Sequence, residues 1–228
     1  MTPPHPLDRP AWGALTTRQS GLAIGDGLAR RFDPAFGPFA ATIDDSPASL
    51  AALGALVAAA GSVVLLQAEE SPTPPGAQVA FRASAWQMLA SPIEPASDEA
   101  GVIRLGQADA TEMVDLAQLT KPGPFNDRTH ELGEFFGIRR DGRLAAMAGE
   151  RMQPPGFVEI SGVCTHPDHR GQGFAAALTR LVTRRIQACG ETAFLHVMAD
   201  NTGALALYEA LGFIRRRKMS VIALVAVA

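Results

Sequence analysis

The chain has few cysteines and little excess charge, and each scarcity excludes a class of protein. Cys164 and Cys189 are the only cysteines among 228 residues, too few for a disulfide scaffold and typical of a reducing compartment. The formal net charge is −3, with nine acidic and five basic side chains in residues 1–98 and fourteen and fifteen in residues 99–228. Without clustered Lys and Arg, no nucleic-acid partner is expected.

Sequence signals for export and for membrane crossing are also lacking. The opening MTPPHPLDRP has neither the basic start nor the apolar run of a secretory signal, so we expect a cytoplasmic protein. Residues 48–66 carry no charge over nineteen positions, which approaches the length of a transmembrane helix. Because Gly61-Ser62 interrupts this Ala-rich run, we predict a buried helix followed by a buried strand, and no membrane partner.

Proline and glycine divide the chain into two predicted domains. Residues 91–98, with two prolines, are typical of a linker, so we predict an N-terminal domain at 1–98 and a C-terminal domain at 99–228. Ser46-Pro47 predicts a helix start, and Asp141-Gly142 predicts a tight hairpin turn. We predict strands at 36–43, 63–68, 79–83, 85–89, 102–105, 134–140, 143–152, 157–165 and 193–198, and a closing hairpin at 213–217 and 219–226.

Further helices are predicted after Asp109, after the glycine-rich loop at 170–173, and after Asp200-Asn201-Thr202. Asp109 is a capping residue followed by apolar residues at helical spacing, and Gly190 and Gly212 are typical of helix ends. The fold class is therefore α/β (α+β), with a mixed, mostly antiparallel sheet flanked by helices.

The stretch from Glu159 to Leu178 has the pattern of a phosphate-binding cradle. An apolar alternating strand leads through a polar loop to Gly171 and Gly173, and a helix follows. Glycines let successive backbone N–H groups converge on an anion, and a helix N-terminus adds about half a positive charge. Arg170 supplies a forked cation suited to phosphate oxygens.

A dinucleotide fingerprint is the rival interpretation of these glycines. Residues 171–176 fit G-x-G-x-x-A, and Asp200 lies where a ribose-binding acid would be expected. That fingerprint requires its glycines directly after the strand, whereas His-Pro-Asp-His-Arg follows Thr165 here. Twenty-eight residues remain after Asp200, too few for further βα units, so we favour the looser pattern R-x-x-G-x-A.

Two segments carry a resemblance to a known family. Residues 170–175 resemble the first signature of the GNAT superfamily of acyl-CoA-dependent N-acyltransferases, and Asn201 with residues 204–213 resembles the second. The resemblance implies a GNAT-like domain in the C-terminal half and, more loosely, a degenerate GNAT-like half-domain at 1–98. It also implies acetyl-CoA as co-substrate, an opening between two diverging strands, and contacts of pantetheine with backbone groups of Val163, Cys164 and Thr165. The residues implied to bind the pyrophosphate are Arg170, Gly171, Gln172, Gly173, Phe174, Ala175 and Ala176.

Tyr208 and Asn201 have two possible roles each. Tyr208, the one tyrosine of the chain, matches the position of the family's general acid toward the departing thiolate; the alternative is a core tyrosine. A phenol with a pKa of about 10 protonates a thiolate whose thiol has a pKa of about 8.5 only if transfer is coupled to departure or the site shifts these values. Asn201 is a helix cap, a cofactor ligand, or both.

An attacking amine must lose its proton, so a base or a water chain is needed. By two-residue alternation Glu159 shares a face with Ser161, Val163 and Thr165, and if that face meets the cleft Glu159 is the candidate base. The alternative is a solvated carboxylate at a strand end. Lesser candidates are Glu134 and Glu150.

Other reactive side chains are predicted to be structural. His166 and His169 are expected to be loop residues and no metal is expected, because no further ligand set accompanies them. Cys164 is expected to be a packing residue rather than a nucleophile. The basic run 215–218 is interpreted as a solvated hairpin, with contact to the 3′-phosphate of CoA as the alternative.

These observations lead to two hypotheses on function. In the first, the protein transfers an acyl group, which the family resemblance implies to be acetyl, from acyl-CoA to a primary amine of a small molecule or peptide, by direct attack in a ternary complex. In the second, it is a non-catalytic acyl-CoA-binding sensor or regulatory module.

Overall fold

The computed structural model describes residues 5–92 and 101–227. Strands dominate this part of the chain. The strands are β1 (Ala23–Ile24), β2 (Ala29–Phe32), β3 (Phe39–Thr42), β4 (Ser62–Gln67), β5 (Ala77–Ala90), β6 (Val102–Leu105), β7 (Phe135–Arg140), β8 (Arg143–Glu150), β9 (Phe157–Thr165), β10 (Thr192–Met198) and β11 (Phe213–Ala226). The α-helices are α1 (Pro10–Thr16), α2 (Pro47–Ala60), α3 (Ala110–Thr120), α4 (Phe174–Ala188) and α5 (Thr202–Ala210). Short 3-10 helices lie at Pro6–Asp8, Ser20–Leu22, Gln107–Asp109, Thr129–Glu131 and Pro167–His169.

All these strands join one sheet in the order β1-β2-β3-β4-β11-β5-β10-β9-β8-β7-β6. Neighbouring strands are antiparallel except β3 with β4 and β9 with β10, which are parallel. The prediction of a mixed, mostly antiparallel sheet flanked by helices is confirmed.

Helices α3 and α4 cover opposite faces of the sheet. Leu178 and Val182 of α4 pack in a core with Ala146 of β8, whereas Met113 of α3 packs in another core with Met147. Since successive strand residues point to opposite faces, the two cores lie on the two sides. A third core, with residues of α1, β3 and β4, includes Phe194.

The two longest strands correct two predictions. β5 is one strand at 77–90 where two short strands were predicted, and β11 is one strand at 213–226 where a hairpin was predicted. The two pair from Phe213 opposite Ala90 to Ala226 opposite Ala77, with a bulge between Arg215 and Arg217. The basic residues 215–217 lie within β11 and not in a solvated turn. Acidic side chains from other elements form ion pairs with them there.

β9 and β10 separate after three paired positions. They pair from Thr192 opposite Phe157 to Phe194 opposite Glu159. Beyond that point, in the described residues, β10 pairs with β5 and β9 pairs with β8. The result is an opening between the two strands, as the family resemblance implies.

A bulge in β9 changes which side chains share a face. Ser161 pairs with Gly149 but Cys164 pairs with Met147, so β9 has one extra residue here. Gly162 lies within this interval at φ 66°, a left-handed conformation that favours glycine. Val163 therefore packs with the α4 core, which already contains Val158 and Ile160 from before the bulge.

The apolar run at 48–66 forms the predicted helix and strand, α2 and β4. The Ser46 side chain accepts a hydrogen bond from the Ser49 N–H, as expected of a helix cap, and Gly61 ends the helix at φ 76°. No helix within the described ranges is long and apolar enough to cross a membrane. Helix α1 was not predicted.

Most of the predicted linker at 91–98 falls outside the described residues, because residues 93–100 are not among them. The predicted boundary at 98/99 falls outside them as well. Strands from both sides of that boundary alternate in the sheet: β11 lies between β4 and β5, and β5 also pairs with β10. The division into two domains stays a prediction.

Substitution of Gly149 by Ala should destabilise the protein. A Cβ there would lie 2.3 Å from Cγ of Phe135 and 2.7 Å from the carbonyl oxygen of Glu134, and overpacking of this kind costs about 1–3 kcal/mol. Urea denaturation should show that loss in the free energy of unfolding. Gly21→Ala is the control, because nothing lies within 4 Å of its Cβ position; equal stability of the two variants would contradict the close packing of β8 on β7.

Candidate active site

The loop before α4 presents a row of free backbone donors. Gly171 and Gly173 both have φ 77°, and Gly173 is the N-cap of α4 without a side-chain capping bond. The Arg170 N–H bonds to the carbonyl of Pro167, and the next N–H with a backbone acceptor is that of Ala177. Within the described chain, the N–H groups of residues 171–176 have no acceptor, so they are available to a ligand.

This loop fits an anion such as a pyrophosphate. No heavy atom lies within 4 Å of a Cβ built on Gly171 or Gly173, so the space above the donors is open and a side chain would enter it. Arg170 is exposed beside the loop. Donors, helix dipole and a guanidinium together are what phosphate oxygens require. The cavity has a volume of about 580 Å³ and is also lined by Val163, the end of β9 and α5.

The end of β9 forms one wall of this cavity. Val163, Cys164 and Thr165 all line it, and their strand is paired with β8 on one edge only. The edge toward β10 is open to an extended ligand, which could bond to backbone groups as an added strand does. The predicted pantetheine contacts of these three residues are compatible with this geometry and stay a prediction.

The thiol of Cys164 belongs to the core beneath α3, although Cys164 also lines the cavity. It packs with Met113 and Met147 and is 6% exposed. Burial raises its pKa to about 11, against the opposing hydrogen bonds with Thr120 and Met147. The thiol is thus protonated near neutral pH, in line with the expected packing role.

Tyr208 lies where two cavities meet. Its ring is 8% exposed and packs edge-on against Phe213, with centroids 5.8 Å apart. Burial raises the pKa of its phenol to about 12, and the nearby Cys164 contributes in the same direction. Its hydroxyl has no hydrogen-bond partner in the parts of the chain that the structure describes.

The second cavity, of about 380 Å³, adjoins the first. Residues that line both are Lys121, Pro122, Val163, Asn201, Ala204 and Tyr208. Its remaining wall comes from β3, β4 and β5 of the N-terminal half, from β9, β10 and β11, and from Gly123, Pro124 and Arg151. The opening between β9 and β10 therefore joins a cradle on one side to a second chamber on the other.

Glu159 does not face either cavity, which corrects the expectation from strand alternation. Its carboxylate is 0% exposed and accepts hydrogen bonds from Arg151 Nε at 2.9 Å and Nη2 at 2.7 Å, and from His196 Nδ1 at 2.7 Å. Burial alone would raise its pKa, but the charge of Arg151 and the hydrogen bonds from Arg151 and His196 outweigh burial and lower the pKa to about 2. A carboxylate held in this way is a weak base. Because of the bulge at Gly162, the side chains of Glu159 and Val163 lie on different faces of β9.

Gln87 fixes the orientation of the His196 ring. Its Oε1 accepts from Arg216 Nη1 at 2.7 Å, so its Nε2 is the atom that donates to the carbonyl of Leu7 and to His196 Nε2, each at 2.9 Å. His196 Nδ1 is then the donor to Glu159. Both ring nitrogens are engaged, so His196 contributes to positioning rather than to proton transfer.

Arg151, His196 and Gln87 were not predicted from the sequence. A signal existed for Arg151: it lies opposite Glu159 across the turn at 154–156, and the N–H of Arg151 bonds to the carbonyl of Glu159. A hairpin register counted from that turn would have paired the two charges. His196 and Gln87 belong to distant strands, and only the sheet order brings them together.

The lesser base candidates, Glu134 and Glu150, line a separate cavity of about 360 Å³ with Arg18 and Arg185. Glu134 forms ion pairs with Arg104 and Arg185. Burial raises the pKa of Glu150. Neither residue lines the cavities that meet at Tyr208.

Asn201 caps α5, since its Oδ1 accepts from the N–H of Ala204 at 3.1 Å, and it also lines both cavities. Its structural role is therefore observed, and a cofactor contact stays a prediction. His166 and His169 lie in the loop before the cradle, where the His166 Nδ1 accepts from the N–H of Asp168. Within residues 5–92 and 101–227, no group of three or more His, Cys, Asp or Glu is placed to hold a metal ion.

The basic run 215–218 contributes to the contact between the two halves of the chain. Arg215 pairs with Glu209, Arg216 with Asp8, and Arg217 with Glu69 and Asp8. Three of its four cations thus have carboxylate partners, which does not support the expected solvated hairpin. The alternative contact with a 3′-phosphate would have to compete with these ion pairs.

Comparison with known proteins agrees with this geometry. The FR47-like protein family matches residues 135–222. The crystal structure of a GNAT-family protein from Novosphingobium aromaticivorans is 45% identical, covers 99% of this chain and 100% of its own, and superimposes with a TM-score of 0.92. A GCN5-related N-acetyltransferase from Kribbella flavida has 21% identity and a TM-score of 0.59 over 96% of both chains, a likeness of fold.

The chain belongs to the GNAT family. Among curated proteins it is similar to mycothiol acetyltransferases: that of Streptomyces coelicolor is 40% identical over 87 residues, or 35% of this chain and 26% of the relative. That of Streptomyces griseus is 32% identical over 131 residues, or 53% of this chain and 41% of the relative. The chain thus matches less than half the length of these curated relatives.

Substitution of Glu159 by Gln should destabilise the protein at neutral pH. The change leaves Arg151 buried without its counter-charge, at a cost of about 3 kcal/mol. Because the folded pKa of about 2 lies below the ordinary value of 4.5, the contribution of Glu159 to stability is fully present above pH 4.5 and is lost as the pH falls toward 2. Urea denaturation at pH 7 and at pH 3 measures both effects.

The Gln variant should therefore be less stable than the wild type at pH 7, and the difference should narrow at pH 3. Glu131→Gln is the matched control, since it removes an exposed ion pair with Arg128 and such pairs contribute little. Equal stability of the wild type and Glu159→Gln at pH 7 would contradict the buried ion pair.

Proposed function

We propose that the protein transfers an acetyl group from acetyl-CoA to a primary amine, by direct attack in a ternary complex. The observation that carries this proposal is the meeting of two cavities at Tyr208. One cavity has the free backbone donors of an anion cradle, and the other is a separate chamber open to an acceptor. Membership of the GNAT family supports the reaction class.

The chain's own residues would hold the two reactants in line. The N–H groups of residues 171–176 and the side chain of Arg170 would bind the pyrophosphate of the co-substrate. The open edge of β9 at Val163 to Thr165 would hold its pantetheine arm, so that the thioester reaches the junction near Tyr208. Acetyl-CoA supplies the activated acyl group, and the amine of the acceptor attacks its carbonyl carbon from the second cavity.

Tyr208 would act on the leaving sulfur. Its hydroxyl has no partner among the described residues, and its raised pKa keeps it protonated. A phenol with a pKa of about 12 does not readily give its proton to a free thiolate, so transfer would have to be coupled to cleavage of the C–S bond. Before that, its O–H can donate a hydrogen bond to the sulfur as negative charge develops.

The amine would lose its proton to water rather than to a carboxylate. Glu159 is held by Arg151 and His196, and no Asp or Glu occurs among the described residues that line the two cavities. We therefore propose that water, and not Glu159, accepts the proton of the amine. Glu159 is then a positioning residue.

A covalent acyl-enzyme has less support than direct attack. Cys164 is the one cysteine that lines the cavity, and burial holds its pKa near 11. The alternative function, a non-catalytic acyl-CoA sensor, would require the cradle but no second chamber at Tyr208. The second cavity, which shares Tyr208 and five other lining residues with the first, favours the enzyme.

Substitution of Gly173 by Val should prevent tight binding of acetyl-CoA. The side chain would enter the anion site and strain the left-handed backbone, so several charge-assisted hydrogen bonds of about 1.5–3 kcal/mol each would be lost. Calorimetry should show affinity reduced by about 100-fold or more. Gly190→Val is the matched control, because Gly190 has the same φ of 77° and open surroundings outside the cavity; unchanged affinity in Gly173→Val would contradict the cradle.

Substitution of Tyr208 by Phe should lower turnover more than binding. The ring still packs against Phe213, so only the hydroxyl is removed, and loss of a general acid reduces kcat by about 100-fold or more. The measurement is thiol release from acetyl-CoA with a mixed amine library, next to the Kd for acetyl-CoA. Equal kcat would remove Tyr208 from the mechanism, and tight acetyl-CoA binding with no acceptor-dependent release by the wild type would favour the sensor.

A further inference from the structure

We propose that the acceptor is a monoamine with an apolar body, such as an arylalkylamine or an alkylamine, bound in the second cavity. The inference rests on the proposed transfer of an acyl group and specifies its acceptor. It follows from the composition of the chamber on the side of Tyr208 away from the phosphate cradle.

The walls of this chamber are mainly apolar. Side chains from both halves of the chain contribute, and most of them are buried or half-buried. The apolar residues of the N-terminal half and of β11 that line it are Phe39, Val64, Leu66, Phe81, Ala85, Val221 and Ala223. Those of the GNAT-like half include Ile160, Val163, Val197 and Met198. An acceptor that fills this chamber gains by burying apolar surface.

The charged groups of the chamber disfavour a second ammonium on the acceptor. Lys121 and Arg151 line it, and among the described lining residues there is no carboxylate to pair with a cation. Polyamines would therefore bring a second or third positive charge into a chamber without a counter-charge. A monoamine that attacks as the free base brings none.

Arg151 also leaves one donor available at the wall. Its Nε and Nη2 bond to Glu159, and its guanidinium stacks on the Phe39 ring at 4.5 Å. Its Nη1 has no acceptor among the described residues, although the side chain is 9% exposed. An acceptor with an oxygen atom on its apolar body could bond to this nitrogen, whereas a polyhydroxylated aminosugar would leave most of its hydroxyls against apolar walls.

Phe81 is a suitable position at which to test this chamber by substitution. It lies on β5 and is 52% exposed although it is a large apolar residue. A change at such a position alters the chamber with little effect on the core. Ile214, on β11, is 65% exposed and does not line the chamber, so it provides a matched position.

The first experiment compares four acceptors at saturating acetyl-CoA: 2-phenylethylamine, hexylamine, spermidine and glucosamine. We expect kcat/KM for the two apolar monoamines to exceed that for the other two by about tenfold or more, since burial of one aromatic or aliphatic group is worth that factor. A preference for spermidine or glucosamine would overturn the inference and leave the proposed acyl transfer intact.

The second experiment compares Phe81→Gln with Ile214→Gln. Both replace an exposed apolar residue of a strand by the same uncharged polar residue. Phe81→Gln should raise KM for 2-phenylethylamine by about tenfold and leave the Kd for acetyl-CoA unchanged, because the chamber loses apolar surface and the cradle is untouched. Ile214→Gln should alter neither. Equal KM values for the two variants would contradict the assignment of the chamber.

Direct binding separates this inference from the proposed function. Saturation-transfer NMR detects 2-phenylethylamine on the CoA-loaded protein without any turnover. Binding that Phe81→Gln weakens, with no thiol release from acetyl-CoA by the wild type with any of the four amines, would support the apolar chamber and contradict the proposed acyl transfer. If 2-phenylethylamine neither binds nor reacts, the inference is overturned.

Discussion

The buried ion pair between Arg151 and Glu159 is the interaction on which the site depends. Glu159 is the last residue of β9 that pairs with β10, opposite Phe194, and His196 lies two residues further along β10. The bonds from Arg151 and His196 to one carboxylate therefore connect β9, β10 and the segment that follows β8, at the point where β9 and β10 separate. Because a buried charge is costly without its partners, this arrangement specifies where the opening begins.

The two sides of that opening have different physical characters. Toward α4, free N–H groups and Arg170 make a site for negative charge. Toward β3 and β4, apolar side chains make a chamber that favours an uncharged body. Tyr208 is at the junction, with a phenol that burial keeps protonated. The N-terminal half thus contributes apolar surface to the second cavity in addition to packing.

Features that depend on local sequence were predicted well. The cap at Ser46, the helix and strand within residues 47–67, and the glycine loop before α4 follow from neighbouring residues, since caps and left-handed glycines act within a few positions. Pairing between distant residues was harder to predict. β11 was divided into a hairpin because the acids that pair with its basic run, Asp8 and Glu69, are far away in the chain.

Glu159 shows the difference between what local sequence predicts and what only the tertiary structure decides. The sequence by itself determined the GNAT-like signatures, the anion cradle and the position of Tyr208, because each depends on residue types at fixed short spacing. Only the tertiary structure decided that Glu159 is a buried ion-pair partner that lines neither cavity, since the bulge at Gly162 and the register of three strands set its neighbours. The second cavity was equally a tertiary property, because its walls come from strands that pair across the length of the chain.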